Sequence, residues 1–250
     1  MRAFLTLTRR ELASYFLSPS GYIIIAAAMF LMGFSFVVML VKLQSDPTPI
    51  PIGELFYVTP FFWFILLLST PVITMRLFAH EKSSGTFECL MTAPVTEIEV
   101  VLAKFFAALI FYFIMWLPLL ACLWVVKHYT SNSGGFDLGI LGSTLLGIVL
   151  LGCLFISIGL CASAMTRSQV TAAMISLVFG VSLFLLGVLA DRIPTGASWQ
   201  TETLSALAFF EQMHDFARGI VDTRALVLYL SLCFFFLFLT LRIVESRRWK

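Results

Sequence analysis

Hydrophobic positions in this chain come in long unbroken runs, and polar positions in short clusters between them. The runs near 21–41, 55–78, 96–126, 138–165, 170–190 and 225–243 each reach the roughly 20 residues that carry a helix across a bilayer. The pattern predicts an all-α polytopic membrane protein with six transmembrane helices, read as one domain over residues 1–250.

The polar clusters add detail. In Met1 to Leu17, Leu5, Leu12, Tyr15 and Phe16 share one face with Arg2, Thr6 and Arg9 opposite. That arrangement suits an N-terminal interfacial helix with its arginines among head groups. Arg2, Arg9, Arg10 and Glu11 are its candidate residues, and Ser18-Pro19-Ser20-Gly21 breaks it and turns the chain into the first span. A connecting loop is expected over Lys42 to Gly53, with Pro47, Pro49 and Pro51. Pro60 falls near the start of the second span, and Pro71 inside it removes a backbone bond and predicts a kink.

The longest polar interruption on the more basic side runs from Thr74 to Val95, TMRLFAHEKSSGTFECLMTAPV. A short helix can be read inside it, with Ser84 and Gly85 as a start and Pro94 as a stop. Phe87, Leu90 and Met91 then form a small apolar face between Thr86, Glu88 and Thr92. Such a helix suits a groove on another protein, and a solvated loop is the alternative. Thr96 and Glu99 have capping-box spacing at the start of span three. Lys104, one to two turns in, is expected to snorkel to the interface.

Lys127 to Asp137 is expected as a loop, and Thr166 to Gln169 as a tight turn. Gly139, Ser143 and Gly147 in span four, and Ala172, Ser176 and Gly180 in span five, repeat every fourth residue. These small-residue stripes predict close helix packing, within the subunit in preference to lining a pore. Between spans five and six, Asp191 to Arg224 mixes Phe209, Phe210, Met213, Phe216 and Ile220 with Glu211, His214, Asp215 and Arg218. One or two amphipathic helices resting at, or dipping into, the opposite, non-cytoplasmic interface are expected there.

Composition sharpens this picture. The chain is 60% hydrophobic and only 12% charged, where soluble domains run near half apolar and about a quarter charged. A net charge of +2 gives no basis for nucleic-acid binding. The first apolar run, from Gly21 to Val41, is longer than the apolar region of a cleaved signal, so a retained first span is expected. Five of the 16 Lys and Arg residues (Lys42, Lys127, Arg192, Arg218, Arg224) fall on one side, leaving 11 on the side of both termini. The positive-inside rule makes that side cytoplasmic, and the Thr74–Val95 stretch with it.

Candidate chemistry is sparse. There is no GxxxxGK[ST] phosphate loop, no HExxH and no GxSxG. The five cysteines (89, 122, 153, 161 and 233) show no paired spacing, and His80, His128 and His214 fall in separate non-spanning regions. No metal site and no catalytic group are expected on this chain. Few ionisable residues sit mid-span, which disfavours an ion-coupled carrier and an intramembrane enzyme. If this chain moves a substrate, the energy comes from elsewhere.

The segment Thr74-Met75-Arg76-Leu77-Phe78-Ala79-His80-Glu81-Lys82, with Gly85-Thr86-Phe87-Glu88 and Leu90-Met91-Thr92-Ala93-Pro94-Val95, resembles the cytoplasmic loop of ABC-2-type transporter permeases. The resemblance is closest to the gliding-motility-type (GldF-like) and NosY-like branch. Arg10-Glu11-Leu12 through Ser18-Pro19, Phe216-Ala217-Arg218-Gly219-Ile220-Val221-Asp222 and Arg247-Arg248-Trp249 agree with it. One departure is His80, where such loops more often carry an acidic residue.

The resemblance implies a six-span permease subunit, and an exporter, in a prokaryotic cytoplasmic membrane. It would pair with a second permease copy (itself or a related one) and with separate ABC ATPase subunits, which hold the ATP and Mg. The helix between spans two and three would be a coupling helix seated on the ATPase. Its site residues would be Glu81, Lys82, Gly85, Thr86, Phe87, Glu88, Leu90 and Met91. The competing expectation is a non-transporting membrane scaffold for a surface or motility apparatus.

Overall fold

The computed structural model describes residues 2–45, 59–87, 95–129, 138–192 and 208–246. Among these, helices are α1 (Arg2–Leu17), α2 (Pro19–Ser45), α3 (Pro60–Thr74) and α4 (Ala79–Ser84), then α5 (Glu97–Tyr129), α6 (Leu138–Met165), α7 (Gln169–Arg192), α8 (Phe209–Ala217) and α9 (Thr223–Ser246). No strand occurs among the described residues. Six helical stretches are long and apolar enough to cross a membrane, the second of them Pro60–Ser84, which takes in α3 and α4. The expected all-α fold with six spans is the one observed.

Start and stop chemistry explains the boundaries. Pro19 opens α2 after a bend at Ser18, and Pro60 opens α3 behind the extended Thr59. At these first positions proline gives up a hydrogen bond that no helix could make there. The Thr96–Glu99 capping box forms: Glu99 N–H donates to Thr96 Oγ1 at 3.3 Å, and Thr96 N–H donates to Glu99 Oε2 at 3.2 Å.

The layout is organised around α6, in which 78% of the spanning stretch is buried, against 22% in each of α2, α7 and α9. The outer faces of those three carry Ile23, Phe30, Val170, Val178, Phe234 and Phe235. An apolar exterior of that kind suits lipid or another membrane chain. Inside, Phe62, Phe111, Tyr112 and Trp116 form an aromatic core.

Four expectations change. Lys42–Ser45, read as loop, continues helix α2, and α5 runs on through Lys127 to Tyr129; Pro47, Pro49 and Pro51 lie outside the described residues. The second span does not run unbroken to Phe78: α3 passes through Pro71, stops at Thr74, and a turn over 75–78 leads into α4. Leu5 does not share the buried face of α1; it is exposed, while Thr8, Glu11 and Tyr15 face the bundle. There Tyr15 stacks on Phe111 with ring centroids 4.7 Å apart. The length of α1 thus packs on α5, because its polar residues find partners there.

The fourth change concerns what the amphipathic helix α8 packs on: its apolar face meets the bundle itself. Phe209, Met213 and Phe216 are buried against the bundle. Ser143 Oγ donates to the Phe216 carbonyl at 2.7 Å, and a Cβ on Gly147 would lie only 3.1 Å from Phe216. The first small-residue stripe is the seat of α8. The second faces α6, with Ala172 and Ser176 buried and Gly180 against Phe155. Both stripes serve packing within the chain.

Candidate functional site

The site builds up from the end of α3. A helix leaves its first N–H groups without intrahelical partners, and Phe78, the residue capping α4, supplies no side-chain oxygen. Ser163 on α6 does so instead. Its Oγ accepts the N–H groups of Phe78 and Ala79, both at 3.1 Å, and lies 3.3 Å from the Met75 carbonyl. A serine on another helix therefore sets where α4 begins. Lys82 Nζ donates to the Ala164 carbonyl, and His80 Nδ1 pairs with Gln169 Nε2 at 3.0 Å.

Gly85 ends α4 in the left-handed conformation, φ 75°. It stops the helix over Ala79–Ser84, and helical structure resumes directly after it, so it also stands where a start is expected; glycine accepts this conformation at no steric penalty. Thr86 and Phe87 enter a new helical turn, and Glu88, Leu90 and Met91 lie outside the described residues. Thr86 is exposed, 2.9 Å from Ser84 through their hydroxyls. Phe87 lies edge-on to Phe78 at 6.4 Å between centroids, with Lys82 Nζ 5.3 Å above its ring.

Behind α4 lies a buried charge cluster. Lys104 does not snorkel: it is 2% exposed, with Nζ 2.8 Å from Glu81 Oε1 and 3.2 Å from Glu11 Oε1. Arg10 closes the group, 2.8 Å from Glu11 Oε1 and 3.5 Å from Glu81 Oε1. The Phe78 ring sits 5.2 Å below the ammonium. Snorkelling fails because two carboxylates and a ring face are nearer than water. Burial pushes the Glu11 carboxyl up, but the Lys104 and Arg10 charges outweigh it and hold Glu11 below the ordinary carboxylate value. Two cations balance two anions, and α1, α4 and α5 meet at one point.

Of the expected residues, Arg10, Glu11 and Glu81 come together here, while Arg9 is exposed on α1 and Arg2 lies in its first turn. Lys104 and Ser163 were not among the candidates. Lys104 carried a usable signal, since a charge inside a span implies a partner; Ser163 carried none, being one small residue in an apolar run. Beside the cluster opens a cleft of about 680 Å³, lined by Ser14, Ser18, Ser20, Arg76, His80 and Thr86 among others.

Six apolar spans, and a short helix hung from their end by a charge cluster, define a multi-pass helical membrane protein with a structured attachment between its second and third spans. Residues 56–218 match the family described as ABC-2 family transporter protein. The chain belongs to that family: it is the membrane-spanning permease of an ABC-2 transporter, a class that implies a partner ATPase. The matched stretch takes in α3 through α8 and the whole Ala79–Ser84 corner. No curated protein matches the chain.

Proposed function

We propose that this permease passes the motion of a separate ATPase subunit to its spans through the segment 79–95, driving export. ATP and Mg belong to the ATPase, and this chain catalyses nothing itself. The segment is the coupling element, with Phe87, Leu90 and Met91 as its apolar contacts and Glu88 and Thr86 beside them. The helix α1 lies at the interface of a prokaryotic cytoplasmic membrane, both termini inside, and a second permease copy completes the path. Within the family, the loop sequence favours the GldF-like and NosY-like branch.

The observation that carries this proposal is the way α4 is tied. Glu81 joins it to α5 and α1 through Lys104 and Arg10, and Ser163 joins it to α6. A push on so short a helix therefore reaches three other helices at once. An effector changes a two-state equilibrium only by binding its states differently, and a rigid handle turns such binding into rigid-body rotation. In proteoliposomes holding permease and ATPase, Phe87→Asp is expected to leave ATP hydrolysis running while the spans stop responding, read by distances between spin labels on α2 and α9. ATP-driven distance changes equal to wild type would contradict it.

A further inference from the structure

Arg76 has a role that the coupling proposal leaves unused. It follows the end of α3 by two residues and is half-buried in the cleft beside α1. Its Nη1 donates to both Ser18 Oγ, at 2.8 Å, and Ser20 Oγ. Among the described residues it forms no ion pair, because Glu11 and Glu81 are taken by Lys104 and Arg10. The cluster is neutral, so the cleft keeps one uncompensated positive charge.

The hydrogen-bond inventory points the same way. A guanidinium has five N–H groups, and among the described residues those of Nη1 alone have partners. The Nε and Nη2 edge is left, the planar fork that matches two oxygens of one phosphate. The Ser18 and Ser20 hydroxyls lie 2.6 Å apart and both accept from Arg76. One of their two protons joins them, and the other remains to donate outward.

Position decides the class of ligand. Ser18 and Ser20 flank Pro19, where the first apolar span begins, and Arg76 lies past the last turn of α3, inside the apolar stretch Pro60–Ser84 but beyond its long helix, so the cleft opens at one end of the spans; at span ends hydrocarbon gives way to head groups. Leu17, Tyr22 and Ile23, on the same α1–α2 corner, are exposed apolar side chains. A free phosphate has no use for them; acyl chains do. We infer that this cleft binds one membrane phospholipid through its phosphodiester, held by Arg76 with Ser18 and Ser20, its single negative charge balancing the single positive one.

The test is native mass spectrometry of the full chain titrated with phosphatidylglycerol, with diacylglycerol and inorganic phosphate as separate probes. One phosphatidylglycerol is expected to stay bound per chain, and diacylglycerol not to. Arg76→Gln is expected to weaken that binding by about ten- to a hundredfold, the worth of a charge-assisted pair of hydrogen bonds. Arg167→Gln, removing an exposed charge at the same end, is expected to leave it unchanged. Equal phosphatidylglycerol binding by wild type and Arg76→Gln overturns the site. Inorganic phosphate that binds alone with the same dependence on Arg76 overturns the lipid as ligand. If Arg76→Gln loses its helical circular dichroism, Arg76→Lys is read instead: several-fold weaker binding is expected from the lost fork, and unchanged binding overturns the proposal.

Discussion

Two short helices are fixed to opposite ends of α6, and different forces hold them. Ser163 receives the N–H groups of Phe78 and Ala79 at the start of Ala79–Ser84, whereas Ser143 donates to the Phe216 carbonyl near the end of Phe209–Ala217. The two serines stand twenty residues apart, about 30 Å along the helix. Beyond its serine, Phe209–Ala217 is held by Phe209, Met213 and Phe216 pressed into a glycine-lined seat. Ala79–Ser84 buries little more than Ala79 and is held by Lys82 on a carbonyl and Glu81 on Lys104. Apolar contact is spread over many atoms and has no preferred direction. Ion pairs and hydrogen bonds are few and directional. The seat of Phe209–Ala217 suits a permanent cover, and the polar tether of Ala79–Ser84 suits a part that moves together with the helices it is tied to.

The largest expected effect that separates the two attachments comes from Lys104→Met. It removes the buried cation and leaves Glu11 and Glu81 sharing Arg10 alone; losing one partner of a buried pair outright costs about 3–5 kcal/mol, and Arg10 keeps the loss to the lower end of that range. Unfolding in graded sodium dodecyl sulfate is the measurement, and Glu81→Gln added to Lys104→Met is expected to recover part of the loss. Ser163→Ala comes next. It strands two buried N–H groups at a penalty of about 1–3 kcal/mol, and early hydrogen exchange should appear at Phe78 and Ala79 while the Phe209–Ala217 amides stay protected. Gly147→Ala touches only the other end. The added Cβ would sit 3.0 Å from Met213 Sδ, and about 1 kcal/mol of overpacking is expected, with no change in exchange at Ala79.

The smallest effect is in pH. Glu11 is held below its ordinary value of 4.5. Its contribution is therefore complete above that value and lost as pH falls through the lower folded value. Docking of α1 should be flat at neutral pH and weaken only in that acid window, seen as quenching of a fluorophore placed at Arg9→Cys. In Lys104→Met the weakening should begin at higher pH, because one of the two charges that depress Glu11 is gone.

How much of this could be read from the sequence differs along the chain. The spans were legible because an apolar run of membrane length has few other uses, and Leu138–Met165 agrees residue for residue. The capping box was legible because Thr96 and Glu99 complete it locally. The start of α4 was not, since its cap comes from Ser163, far along the chain. Gly85 is legible as helix punctuation, with helix resuming at Thr86, but its role as the stop of Ala79–Ser84 is not, because a left-handed stop and a start draw on overlapping residue types. Lys104 was misjudged for the same reason: its partners lie on two other helices, and only the fold brings them within hydrogen-bond reach.

The central claim is that the corner after the second span is where an ATPase takes hold. The most direct test is purification of the tagged chain in mild detergent with a candidate ATPase co-expressed, followed by quantitative mass spectrometry of the complex. About one ATPase per permease, lost in Phe87→Asp and kept in Gly147→Ala, is the result expected. Permease recovered without ATPase while its spans remain folded, or ATPase retained equally by Phe87→Asp, would contradict the claim.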